Sequence, residues 1–198
     1  MNLGIRRPAV FLNFPSAGIL DTFNRANTGP PPSASWTNAV EGAGTGLKVV
    51  SNQLITDSGG SSGWWNVGTF GPDSECYFDV VTLSGSMNLY LRLQQPGSGS
   101  TVDGYLGYFD GVSLYKIFRM DNGSLTQLGA SVTDTLASGN SIGMQAIGPM
   151  IRMFKKVSGA WSVVIERSDG TYAAAGYIGL GINSALSTYD NFGGGSSV

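Results

Sequence analysis

The sequence predicts an all-β fold, an antiparallel β-sandwich of the jelly-roll type, on three observations. Residues 87–94 alternate strictly, with Met87, Leu89, Leu91 and Leu93 on one face and Asn88, Tyr90, Arg92 and Gln94 on the other, the period-two pattern of a half-buried strand. The 30 glycines, in a chain that is 41% hydrophobic and 11% aromatic, recur between short apolar runs, and glycine supplies the positive φ that tight hairpins need. Finally, no segment past residue 18 holds a 3.6-residue period long enough for a helix, and no repeat of fixed length points to a propeller or solenoid. At 198 residues one sandwich accounts for the whole chain.

Residues 1–18 read as an extended arm and 19–198 as a single domain. Pro8 and Pro15 disfavour helix on both flanks of Val10, Phe11, Leu12 and Phe14. Apolar side chains of this kind are expected to pack back on their own sandwich or to reach a neighbouring subunit. Arg6-Arg7 ahead of Ala9–Leu12 mimics a secretory signal, but the apolar run is too short, and nothing approaches the roughly 20 apolar residues that span a bilayer. Past the arm, Leu20–Asn27 reads as an opening strand, and Thr28–Ser33, with three consecutive prolines, as a surface loop before Trp36. Lys48–Thr56 reads as a hairpin around Ser51-Asn52, and Gly59–Gly63 as a flexible loop into Trp64-Trp65. Cys76, Phe78 and Val80 share a face over 75–83. Strands are then expected at 87–94, 105–109 and 112–120, with the Asn122-Gly123 turn after them. In the second half, 141–147, 150–157 and 161–167 are separated by Gly148-Pro149 and Ser158-Gly159. A Ser168-Asp169-Gly170 turn follows, and Gly176–Ile182 with Tyr189–Gly195 read as a closing strand pair.

Asp21-x-Phe23-x-Arg25-x-Asn27, Trp36, the Ser168-Asp169-Gly170-Thr171-Tyr172 turn and Tyr189-Asp190-Asn191-Phe192 together carry a resemblance. Over about residues 19–195 the chain resembles concanavalin A-like, or laminin G-like, jelly rolls. The resemblance implies that the first and last strands are neighbours. Small modules of this appearance are frequent in phage tail and capsid-surface proteins and in bacterial proteins that bind or cleave glycans.

The chain has no histidine, which removes the commonest general base and zinc ligand. The Glu-x-Asp-x-x-Glu cluster that the resemblance implies for glycosidases of this fold is missing. Glu75 and Asp79 share a strand face but lie about 13 Å apart at 3.3 Å per residue, too far for paired-carboxylate hydrolysis. With 12% charged residues and a net charge of -2, no basic face exists to neutralise a phosphate backbone, so nucleic acid is not an expected partner. Cys76 is alone and reads as a small buried hydrophobe.

Three groups of candidate residues remain. Trp64 and Trp65 beside glycine and serine suit a sugar-stacking platform, although strand alternation would turn one indole inward. Asn88, Tyr90 and Arg92, joined by Tyr115 and Gln145, suit a polar sheet face that binds glycan or simply meets solvent. Asp21, Asp190 and Asn191, neighbours under the resemblance, suit a structural calcium ion or hydrogen bonds to turn backbone; no other cofactor is expected.

The leading reading from sequence is a non-enzymatic virion accessory or structural protein, a capsid- or tail-surface module of a phage. It would be made in the host cytoplasm and assembled on other virion or self subunits through an arm carrying Arg6, Arg7, Val10, Phe11, Leu12 and Phe14, with host-surface glycan adhesion compatible. A lectin-like carbohydrate-binding module, extracellular or at the cell surface, is the alternative. A polysaccharide hydrolase or lyase ranks last.

Overall fold

The structure, a computed structural model, describes residues 13–40, 46–97 and 101–197. Its strands are β1 (Ile19–Asp21), β2 (Trp36–Asn38), β3 (Leu47–Val50), β4 (Gln53–Thr56), β5 (Ser61–Trp65), β6 (Ser74–Thr82), β7 (Met87–Gln94) and β8 (Asp103–Phe109), then β9 (Leu114–Asp121), β10 (Ser124–Gln127), β11 (Val132–Thr133), β12 (Ser141–Ile147), β13 (Met150–Val157), β14 (Ala160–Ser168), β15 (Tyr177–Ile182) and β16 (Thr188–Ser196). No helix occurs among the described residues. The strands form two antiparallel sheets packed as a sandwich. One, sheet A, runs β14-β13-β12-β6-β16-β4-β3, with β1 also paired to β16. The other, sheet B, runs β10-β9-β8-β7-β15-β5-β2, with β11 on β9.

Local turn chemistry sets the hairpins. Ser51-Asn52, Asn122-Gly123 and Ser158-Gly159 all hold positive φ at both positions, as a two-residue type I′ turn demands. Each joins adjacent strands in the register that alternation requires. Between the sheets, Phe78, Val80, Ile142 and Met144 of sheet A meet Leu89, Leu91, Phe109 and Leu180 of sheet B in one core. Cys76 is buried there, and burial pushes its thiol pKa up, so it is an unreactive core side chain.

The first and last strands are neighbours, as the resemblance implies: Ile19 pairs with Gly193 and Asp21 with Phe192. Three expectations need correction. Gly176–Ile182 and Tyr189–Gly195 are not a strand pair, because β15 lies in sheet B and β16 in sheet A; the connection between them crosses the sandwich. Ser61–Gly63 is strand and not loop. Ser61 and Ser62 are buried, and the small residues let β5 pair closely with β15.

The third correction concerns β7. Its alternation breaks at a bulge between Leu91 and Gln94, where Arg92 takes φ 52°. A single extra residue exchanges the two faces of everything beyond it. Leu93, expected in the core, packs on the outer side of sheet B with Tyr90 and Trp64, and Arg92 leaves the polar face.

Candidate functional site

Beyond the core, sheet B carries a second apolar layer on its outer face, formed by Trp64, Tyr90, Leu93, Val102, Leu106 and Met120 with Val40. Strand register builds its rows. Lys116 lies beside Tyr108, Tyr108 beside Asn88 and Asn88 beside Gly181. In the next row Phe118, Leu106, Tyr90 and Gly179 follow in the same order. Gly179 and Gly181 are bare, so the Tyr90 side chain lies low over β15, where a Cβ at position 181 would come within 3.3 Å of its hydroxyl.

Between these rows opens a groove of about 300 Å³. Leu106, Phe118 and Leu125 supply apolar surface, and Asn88, Asn183 and Lys116 supply polar groups. Tyr108 and Phe118 meet edge to face with centroids 6.3 Å apart, and the Lys116 ammonium stands 5.7 Å from the centre of the Tyr108 ring. Asn88 is 8% exposed. Its Nδ2 donates to the Tyr90 hydroxyl at 2.9 Å, while its Oδ1 is buried with no hydrogen-bond partner. Aromatic rings with a few convergent polar groups match a sugar, whose ring has an apolar face and a hydroxyl rim.

Of the residues singled out from sequence, Asn88 lines this groove and Tyr90 lies beneath it. Trp64 does face outward on sheet B, as alternation allows, but it is 9% exposed. Gly97 closes over it: a Cβ there would sit 2.8 Å from Trp64 Cη2, and the Gly97 N–H donates to the Val40 carbonyl at 3.2 Å. Trp65 turns inward and packs edge to face on Trp36 at 5.7 Å. The two indoles therefore do not form a joint platform.

Arg92 is absent from the groove. Its Nε, Nη1 and Nη2 donate to the carbonyls of Pro72, Tyr172 and Gly148 at 2.5, 3.0 and 2.8 Å, and it is 1% exposed. The guanidinium clamps three loops at one end of the sandwich. Tyr105 beside it donates to Asp169 Oδ1 at 2.8 Å, and Arg119 ties Asp169 to Asp121. Tyr115 belongs to the core between the sheets, and Gln145 lies on sheet A against Glu75, so neither joins the polar face of β7.

The proposed calcium ligands are engaged elsewhere. Asp21 accepts from Arg25 Nη1 and Nη2 at 2.8 and 2.7 Å, from Trp36 Nε1 at 2.9 Å and from the Phe23 N–H at 2.8 Å. Asp190 Oδ1 accepts the Asn191 N–H, and Asn191 Nδ2 donates to Asp79. Burial, with Asp79 and Asp21 nearby, pushes the Asp190 carboxyl up. Among the described residues no three acidic or thiol side chains gather as ligands. Asp21, Asp190 and Asn191 thus do not fit a calcium ion; the Asp21–Arg25–Trp36 knot fastens the opening strand.

Of the arm, Arg6, Arg7, Val10, Phe11 and Leu12 lie outside the described residues. Phe14 packs on the chain's own sheet A, stacked on Phe154 with centroids 3.9 Å apart. Sequence reasoning missed Tyr108, Lys116, Phe118 and Asn183. The alternation of Tyr115 and Ile117 inward against Lys116 and Phe118 outward carried the signal, but the partner strands that bring them to Asn88 are set by sheet order.

No family model matches the sequence, and no curated protein matches it. Solved structures do. The carbohydrate binding module CBM66 from Bacillus subtilis superposes with a TM-score of 0.60 at 20% identity, over 82% of this chain and 96% of that one. A legume lectin-like domain from Entamoeba histolytica gives 0.59 at 11%, over 83% and 91%. The exoplasmic/lumenal domain of VIP36 in its Ca2+-bound form gives 0.61 at 14%, over 91% and 90%, and that domain has also been solved bound to Man3GlcNAc. The fold is therefore a lectin-like jelly-roll β-sandwich.

Proposed function

We propose that this chain is a non-catalytic, lectin-like carbohydrate-binding module whose sugar site is the groove on the outer face of sheet B. The observation that carries the reading is the groove in which the Tyr108 and Phe118 rings meet edge to face beside the polar groups of Asn88, Lys116 and Asn183. A pyranose or furanose ring stacks its apolar face on one of these rings, and its hydroxyls contact Lys116, Asn183 and the edge of Asn88. Support for the ligand class comes from relatives of this fold described as carbohydrate-binding or solved with mannose-containing glycans. Placement outside the cell accords with such a ligand.

The virion reading has less behind it. None of these relatives is described as a virion protein, and the apolar arm residue that the structure describes, Phe14, is seated on its own chain.

An immobilised panel of bacterial, fungal and plant polysaccharides tests the proposal. At least one glycan is expected to bind, and Asn88→Ala and Phe118→Ala each to weaken it about tenfold, equivalent to about 1.4 kcal/mol. Binding to no glycan, or binding that both variants leave unchanged, removes the groove from consideration.

A further inference from the structure

The groove on sheet B carries a positive charge that the described chain leaves without a partner. Among the described residues every arginine but Arg167 forms an ion pair, and Arg167 donates to the carbonyls of Leu128, Glu166 and Ala130. Lys48 pairs with Asp57 and Lys155 with Asp134. Lys116 and Lys156 remain, with no described carboxylate at ion-pair distance. Each stands over an aromatic ring, Lys116 at 5.7 Å from the centre of Tyr108 and Lys156 at 5.9 Å from that of Trp161. Each also lines a hollow, and there the likeness ends. The hollow beside Lys156 holds the Asp79 carboxylate as well, whereas no residue lining the groove of Lys116 is Asp or Glu.

Strand alternation puts Lys116 there. It points outward from β9 between Tyr115 and Ile117, which are buried in the core, and register sets it in one row with Tyr108 and Asn88. Lys116 is half-buried, so part of its hydration is lost, and the Tyr108 ring offsets some of that loss. Asp110 is near enough to feel the charge, but its Oδ1 accepts the N–H groups of Val112, Ser113 and Leu114 at 2.8, 2.8 and 2.9 Å. That carboxylate closes the turn before β9 and does not contact the ammonium. An ammonium held beside aromatic walls, with side-chain amides close by, suits a carboxylate through charge-assisted hydrogen bonds, while the apolar face of the same sugar lies on Phe118.

We propose that the groove selects acidic sugars, of the uronic acid class, and that Lys116 is the residue that reads the sugar carboxylate. The inference rests on the groove being the glycan site. A net charge of -2 gives the chain no general attraction for a polyanion, so the preference is local to this one ammonium.

Polygalacturonate and alginate, each beside its carboxyl-reduced form, test this on the full chain, because the members of each pair differ only where a hydroxymethyl group replaces the carboxylate. At least one acidic polymer is expected to bind about tenfold more tightly than its reduced partner. Lys116→Gln is expected to bring that ratio close to one, Lys116→Arg to keep most of it, and Lys156→Gln, on the other face of the sandwich, to leave it intact. Added salt should narrow the ratio in the parent and not in Lys116→Gln. Equal affinity within both pairs, a preference that survives Lys116→Gln, or one that Lys156→Gln removes as fully would overturn the proposal. Its failure is distinct from that of the groove: neutral glycans bound without preference and weakened by Phe118→Ala would keep the groove and remove the acidic selectivity, whereas binding to no polymer, acidic or neutral, would remove both.

Discussion

The two sheets turn outward faces of similar composition and opposite state. On sheet A, Glu75 has its carboxylate filled by backbone and side-chain donors, and the aromatic slot beside it is plugged by Phe14. Sheet B leaves a groove in which Phe118 and Tyr108 are only partly buried and no segment of the described chain covers them. Phe14 and Phe118 are the same side chain on equivalent faces, yet one is a structural plug and the other a wall. The difference comes from what covers each face: a strap of the same chain satisfies sheet A, and a ligand is what sheet B still has room for.

Substitutions that exchange the two roles would break this contrast. The largest effect is expected at the frame between the faces. Arg92→Ala orphans the carbonyls of Pro72, Gly148 and Tyr172 and is expected to cost about 3–5 kcal/mol in urea unfolding. If it instead left stability intact and abolished glycan binding, Arg92 would belong to the site after all. Next come the covered aromatics. Phe14→Ala and Trp64→Ala should each lose about 3 kcal/mol, the usual cost of emptying a buried aromatic position. A Trp64→Ala protein as stable as the parent would mean that the indole is an exposed platform.

In the groove itself the order reverses. Phe118→Ala and Asn88→Ala should change the unfolding midpoint by the equivalent of about 1 kcal/mol or less, with their main effect on ligand affinity. Comparable stability losses for Phe14→Ala and Phe118→Ala would erase the distinction between plug and wall.

The smallest effect is electrostatic. Arg119 holds the Asp121 carboxyl, and Lys155 the Asp134 carboxyl, below the ordinary value of 3.8. Groups lowered on folding add stability that is complete above their unfolded pKa and is lost as pH falls from about 4 through their folded values. Asp190, raised by burial, has the opposite sign and regains stability on acidification. Acid unfolding of Asp134→Asn should therefore be shallower than that of the parent below about pH 4, and that of Asp190→Asn steeper. All of these carboxyls are only partly buried, so solvent screening should keep both changes small.

Much of the frame was legible in the residues because each signal was local. Hairpin turns at Ser51-Asn52, Asn122-Gly123 and Ser158-Gly159 need positive φ and have the residues that permit it, and the strands on either side alternate from one fixed point. The resemblance of Asp21–Asn27 and Tyr189–Phe192 to a jelly roll's first and last strands carried the one long-range pairing correctly. Reading failed where a single residue changed the phase. Arg92 sits in strict alternation with Asn88 and Tyr90, and nothing in the run Leu91-Arg92-Leu93-Gln94 announces a bulge that sends the guanidinium inward and Leu93 outward.

The site was legible only in part for a related reason. Asn88 was visible as the polar side of an obvious strand. That it faces Tyr108, Lys116 and Phe118, and not Tyr115 or Gln145, depends on β8 and β9 following β7 in sheet B while β12 joins β6 in sheet A. Sequence alone determined the turns, the strand periods and the fold class, since these follow from φ preferences and burial within a few residues. Tertiary structure decided which face is sealed and which is open, because that rests on contacts such as Phe14 with Phe154 and Gly97 over Trp64, made between residues far apart in the chain.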